Sequence, residues 1–191
     1  MKKLKWKTLV LALLLAALGT VSAGTLAYFT ADDTAHNVIT SGGVDIELVE
    51  KTYNDNNELI DWPKEGVTGV MPGESVPKIV TVKNKGETAA WVRVRADVTI
   101  TRADGQPSDT SLIEINFDTE NWTEKDGWWY CNEPVEGGET TEFPLFTEVT
   151  FKTAMDNPYQ NCETEIDVSA QAVQVANNGE TVMEAAGWPE A

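Results

Sequence analysis

Histidine is almost absent from this chain of 191 residues: His36 is the only one. A zinc peptidase needs two histidines on one helix face with a glutamate between them, so that motif is excluded. A Ser-His-Asp or Cys-His arrangement would have to recruit His36, close to the mature terminus derived below. Segments there are often mobile and position a base poorly. Basic residues are scarce too, 14 against 31 acidic, for a formal charge of −17. With a pI near 4.3 the chain is a poor partner for nucleic acid or an anionic membrane, both of which are polyanions. Phosphate-cradling glycine loops, internal repeats and low-complexity linkers are missing. Long apolar runs are rare as well; one exists, near the start, and no second follows.

That run carries the first positive signal. Lys2, Lys3, Lys5 and Lys7 form a basic stretch ahead of apolar residues 9–18. As a helix the run rises about 15 Å, half of a hydrocarbon core of about 30 Å. It suits an export signal over residues 1–27 better than a membrane anchor. Two small-residue cleavage sites follow: Val21-Ser22-Ala23 before Gly24, and Thr25-Leu26-Ala27 before Tyr28. Cleavage between Ala27 and Tyr28 removes four lysines and no acid, so the mature chain becomes more acidic still. The expectation is a secreted protein with no transmembrane segment after processing.

The rest reads as β-structure. Residues 44–49 alternate apolar and polar, and 79–82 are β-branched up to a turn at Asn84-Lys85-Gly86. Residues 91–100 give the clearest strand. Val92, Val94, Ala96, Val98 and Ile100 share one face; Trp91, Arg93, Arg95, Asp97 and Thr99 share the other. Shorter strands are expected at 113–117, 127–131, 143–146 and 149–151, and a long last one at 165–175. A short helix is expected at 180–186, stopped by Gly187. Strands at this spacing predict one all-β domain over 44–191, a two-sheet antiparallel sandwich.

No catalytic or cofactor-binding residue emerges. Calcium is the one cofactor to consider, through Asp32-Asp33 and Asn54-Asp55-Asn56-Asn57-Glu58, but neither follows the EF-hand alternation and a solvated loop is the plainer reading. Asn121-Trp122-Thr123 is a bare glycosylation sequon. Cys131 and Cys162 are the only cysteines, in a chain bound for an oxidising space. A bridge would close a loop of about 30 residues and add about 3.5 kcal/mol in the chain-entropy view. A structural disulfide is therefore expected, with two buried thiols as the alternative.

The residues also resemble a family. Gly24-Thr25-Leu26-Ala27-Tyr28-Phe29-Thr30, then Asn37-Val38-Ile39-Thr40-Ser41-Gly42-Gly43-Val44-Asp45-Ile46, look like the start of the TasA and camelysin family. The likeness continues in Pro72-Gly73-Glu74-Ser75, in the stretch 78–86, in Trp91-Val92-Arg93-Val94-Arg95, in 170–174 and in Ala185-Ala186-Gly187-Trp188. Residues 104–162 show no matching motif. The resemblance implies a Gram-positive biofilm-matrix or cell-surface protein, a jelly-roll-like sandwich, and cleavage by a SipW-type signal peptidase. It implies fibres in which the N-terminal segment of one subunit completes a sheet of the next. Residues 28–43 would be that arm, able to span up to about 50 Å when extended. Tyr28, Phe29, Val38 and Ile39 would be its anchors and Gly42-Gly43 its hinge. The partner would be a second copy, in a head-to-tail homopolymer, with other matrix proteins or exopolysaccharide as further candidates. Two other readings are a camelysin-like surface metallopeptidase, for which no zinc motif is present, and a monomeric glycan-binding module using Trp91, Trp122, Trp128 or Trp129. The arm could equally pair back onto its own sheet.

Overall fold

The computed structural model describes residues 30–32, 37–40 and 44–189, the first two stretches as backbone. Among the described residues, eleven strands run in chain order as β1 (Thr30–Asp32), β2 (Asn37–Thr40), β3 (Ile46–Tyr53), β4 (Leu59–Asp61), β5 (Ser75–Asn84), β6 (Ala90–Thr101), β7 (Ile113–Ile115), β8 (Trp122–Lys125), β9 (Trp128–Cys131), β10 (Phe146–Phe151) and β11 (Glu163–Gln174). They form two sheets. In the first the order is β1-β11-β6-β9-β8, with β2 also on β11; in the second it is β4-β3-β5-β10-β7. Every pairing is antiparallel except those of β1 and β2 with β11, which are parallel. The chain crosses between sheets six times, staying put only at the β3–β4 and β8–β9 hairpins, the β4–β5 connection and between β1 and β2. The expected all-β two-sheet sandwich is the fold.

Alternation decides what faces inward. Ile46 and Leu48 on β3, Val76, Val80 and Val82 on β5, Val92 and Val94 on β6, and Ile166, Val168, Ala170 and Ala172 on β11 fill the space between the sheets. Trp122 and Phe146 are the bulkiest of the fully buried side chains there, and Trp122 Nε1 donates to the Phe143 carbonyl at 3.2 Å. Asp126 and Gly127 both have positive φ, 55° and 79°, which is the geometry a two-residue β8–β9 hairpin requires. Asn84 is buried at the end of β5. Its amide donates to the Thr88 and Val135 carbonyls, and its oxygen accepts from the Gly86 amide, fixing the turn that swings the chain into the other sheet.

Two expectations change. Residues 143–146 and 149–151 are not separate strands; one strand, Phe146–Phe151, carries a register shift between Phe146 and Glu148. Residues 180–186 are not a helix. They form successive turns, with Glu184 donating to the Thr181 carbonyl and Ala185 to that of Val182. Local propensity gives way there because Val182 is drawn onto the outer face of the first sheet, while Gly179 and Gly187 take positive φ on either side. No helix among the described residues is long and apolar enough to cross a membrane.

Candidate functional site

The outer edge of β11 is the feature that sets this sandwich apart. One edge of β11 is bonded to β6 along its whole length, from Glu163 beside Thr101 to Gln174 beside Ala90. The other edge takes the N-terminal arm in two pieces. Thr30 to Asp32 run beside Glu163 to Glu165, and Asn37 to Thr40 beside Ser169 to Ala172. Val38 stands at the level of Ala170 and Ile39 at the level of Gln171. The backbone of β2 also approaches β3 of the other sheet, so the docked arm lies where the two sheets meet. Beneath it β11 offers Ile166, Val168, Ala170 and Ala172, and β3 offers Ile46 and Leu48, all buried. Parallel strands cannot be joined by a tight turn, so a pairing of the first strands with the last is held by hydrogen bonds and packing alone. Ala27, Tyr28, Phe29, His36, Gly42 and Gly43 lie outside the described residues.

Acidic side chains crowd this seam. Asp97 and Asp167 are direct cross-strand partners on the outward face, with Glu165 two residues along. Burial, then Asp97, then Glu165 push the Asp167 carboxyl above the usual range, with Arg95 opposing them. A carboxyl raised in this way destabilises the fold at neutral pH, and the penalty disappears as pH falls through the raised value. Arg95 reaches Asp97 at 2.7 Å.

Further along the same face, sequence reasoning missed a packed second layer. Arg93 lies between the rings of Trp128 at 4.4 Å and Trp188 at 4.7 Å. Its guanidinium donates to Gln171 Oε1 at 2.6 and 3.0 Å, to the Tyr130 hydroxyl at 2.9 Å and to the Pro189 carbonyl at 3.4 Å. Trp91, Trp128, Tyr130, Val173 and Val182 form a small apolar cluster around it, closed by the C-terminal strap of residues 175–189. The tryptophans considered for sugar binding are therefore occupied. Trp91, Trp122 and Trp128 are buried, and Trp129 packs on the core, stacked on Phe117 at 4.5 Å.

The expected disulfide is corrected: Cys131 and Cys162 are both free and buried. Register gives the reason. Tyr130 pairs with Arg93 and Glu163 with Thr101, so the cysteines fall at the levels of Val92 and Arg102 on β6. Ten residues of strand separate those levels by about 33 Å, whereas a bridge needs Cα atoms within about 7 Å. Burial pushes the Cys131 thiol up to about 11 and raises that of Cys162. An alkylating reagent is expected to label neither thiol in the native protein at neutral pH and both after unfolding. Quantitative labelling of the unfolded protein with and without prior reduction checks this; thiols that appear only on reduction would contradict it.

The segment 54–58 raised for calcium is the β3–β4 turn. Asn54 Oδ1 accepts from the amides of Asn56 and Glu58, and its Nδ2 donates to Glu58 Oε2, so these groups hold the turn. Among the described residues no group of three or more His, Cys, Asp or Glu could hold a metal ion.

A buried ion pair is the other feature that sequence reasoning missed. Lys78 Nζ lies 2.8 Å from Glu50 Oε1 between the sheets, each side chain 4% exposed, with the ammonium 4.0 Å from the Trp62 ring centre. The signal was available: both residues sit in phase with core positions, Glu50 with Ile46 and Leu48, Lys78 with Val80 and Val82. Comparison with family models, curated proteins and solved structures returns no match for this chain.

Proposed function

We propose that this protein is a secreted structural subunit of an extracellular fibre or matrix, assembled by handing its N-terminal arm to the β11 edge of another copy. The observation that carries this reading is the docking of β1 and β2 on β11. The arm occupies a sheet edge in parallel register, far in sequence from its partner strand, and its only covalent link to the sandwich is at its C-terminal end. An edge filled in this way takes the same segment from a second copy with the same hydrogen bonds. The docked arm is then the resting form, and exchange replaces an internal partner with an external one at little net cost in bonds. The resemblance to the TasA and camelysin family and the expected export signal lean the same way.

The test is to replace Val38 and Ile39 by Asp together in the mature protein and to follow assembly by negative-stain electron microscopy and light scattering. Charges at these two positions are expected to abolish filaments while thermal unfolding stays cooperative. Filaments unchanged by the double substitution would remove the arm from the mechanism. A wild-type mature chain that stays monomeric over a range of salt and pH would remove the fibre reading itself.

A further inference from the structure

A chemically fragile dipeptide fastens the C-terminal strap. Asn178-Gly179 is the only Asn-Gly pair in the chain. The Asn178 side chain pins the strap at three points: Nδ2 donates to the Gln174 carbonyl at 3.1 Å and to the Ala186 carbonyl at 3.0 Å, and Oδ1 accepts from the Ala186 amide at 2.9 Å. Gly179 is required for two reasons. Its φ is +85°, and a Cβ there would come within 3.0 Å of Glu184 Cβ and 3.2 Å of the Ala185 nitrogen. The strap's geometry thus demands both members of the pair, and neither can be exchanged without loosening it. Gly179 is solvent-exposed and Asn178 half-buried, so water reaches the site.

We propose that Asn178 is a deamidation site and that its conversion releases the strap from the outer face of the first sheet. The Gly179 main-chain nitrogen loses its proton and bonds to Asn178 Cγ, the Cγ–Nδ2 bond breaks, and ammonia leaves. A five-membered succinimide remains. Water then opens it, at Cγ to give aspartate or at the main-chain carbonyl to give isoaspartate. No redox change and no co-reactant beyond water is involved. Glycine is the successor that hinders this attack least, because it has no Cβ. Either product loses the amide donors, and a carboxylate then faces the carbonyls of Gln174 and Ala186 where two N–H groups had been. The isoaspartyl form also lengthens the main chain at the pin. The strap beyond Ala186 carries Trp188, one of the two rings that enclose Arg93, and Pro189, whose carbonyl Arg93 bonds. Its release opens a face of Trp128, Tyr130 and Arg93 that is covered in the intact protein. The inference does not depend on the arm or on assembly.

The experiment ages the purified mature protein at neutral and mildly alkaline pH and maps deamidated peptides by mass spectrometry. The charge-shifted fraction is then compared with fresh protein by hydrogen exchange. Position 178 is expected to convert ahead of the other asparagines, and amides at 185–188 to lose protection by about tenfold, as for one to two lost hydrogen bonds. Asn178→Asp, made directly, is expected to show the same loss together with a change in near-ultraviolet tryptophan dichroism. An intact position 178 in protein whose other asparagines have converted would overturn the proposal. So would Asn178→Asp with native protection at 185–188.

Discussion

Replacing Glu50 by Leu is expected to destabilise the fold by about 3–5 kcal/mol, the range for removing one partner of a buried ion pair. Lys78 cannot swing out to water. It points between the sheets among Trp62, Val70, Val76, Val149, Phe151 and Ile166, and among the described residues its ammonium has Glu50 and the Trp62 face as its charge-stabilising neighbours. The single substitution strands that ammonium in an apolar space, and the Trp62 ring compensates only about 1–2 kcal/mol of the loss. Replacing both, Glu50 by Leu and Lys78 by Met, is expected to return stability to the starting level or raise it, since the paired charges have already lost their hydration in the parent. Midpoints of urea unfolding for the two singles and the double close the cycle. A Glu50→Leu variant that loses less than about 1 kcal/mol would mean that Lys78 finds water, in conflict with its burial.

The second large effect is expected at Arg93. Truncation to Ala removes a guanidinium that bonds Gln171, Tyr130 and the Pro189 carbonyl and stacks between two indole rings. Hydrogen bonds of a charged group contribute about 1.5–3 kcal/mol and each cation–π contact about 0.5–1 kcal/mol, and these terms overlap, so the expected loss is about 3 kcal/mol. The informative comparison is Arg93→Lys. A lysine keeps the charge but has neither the flat face nor the fork that reaches Gln171 and Tyr130 together. It is expected to recover less than half of the loss and to leave Trp188 free of Arg93's edge, seen as a red shift in tryptophan emission. Full rescue by Lys would show that charge alone holds this face.

The long strands were legible because their alternation is driven by the core. Val92 and Val94 are fully buried on β6, and Ile166, Val168, Ala170 and Ala172 line β11 as their spacing predicts. The opposite faces were not legible. Trp91 and Arg93 alternate away from the core, which reads as solvent, yet a strap from the end of the chain covers them. Only tertiary structure brings residues 175–189 onto β6, and no local pattern near Trp91 encodes it. The same limit applies to β4 and β8, too short for a period to register. It applies to the cysteines as well, where compartment and loop length favoured a bridge that strand register forbids. Of the candidate site, the arm was visible as a segment, through small polar residues around Val38 and Ile39. Its parallel seat on β11 was not, because pairing partners more than 120 residues apart leave no trace in either segment.

The direction of that pairing has a mechanical consequence. Only three residues separate Thr40, the end of β2, from Val44, so four Cα–Cα steps limit the span to about 15 Å. In a fibre of the proposed kind, tension would enter the arm through that short tether and run along the axis of β11. Hydrogen bonds between strands stand across that axis, so the load shears the ladder and falls on all of its rungs together, whereas a perpendicular pull would peel them apart singly. Two bodies joined by so little slack would also bear on one another directly, and the filament would resist bending as a stack of blocks does.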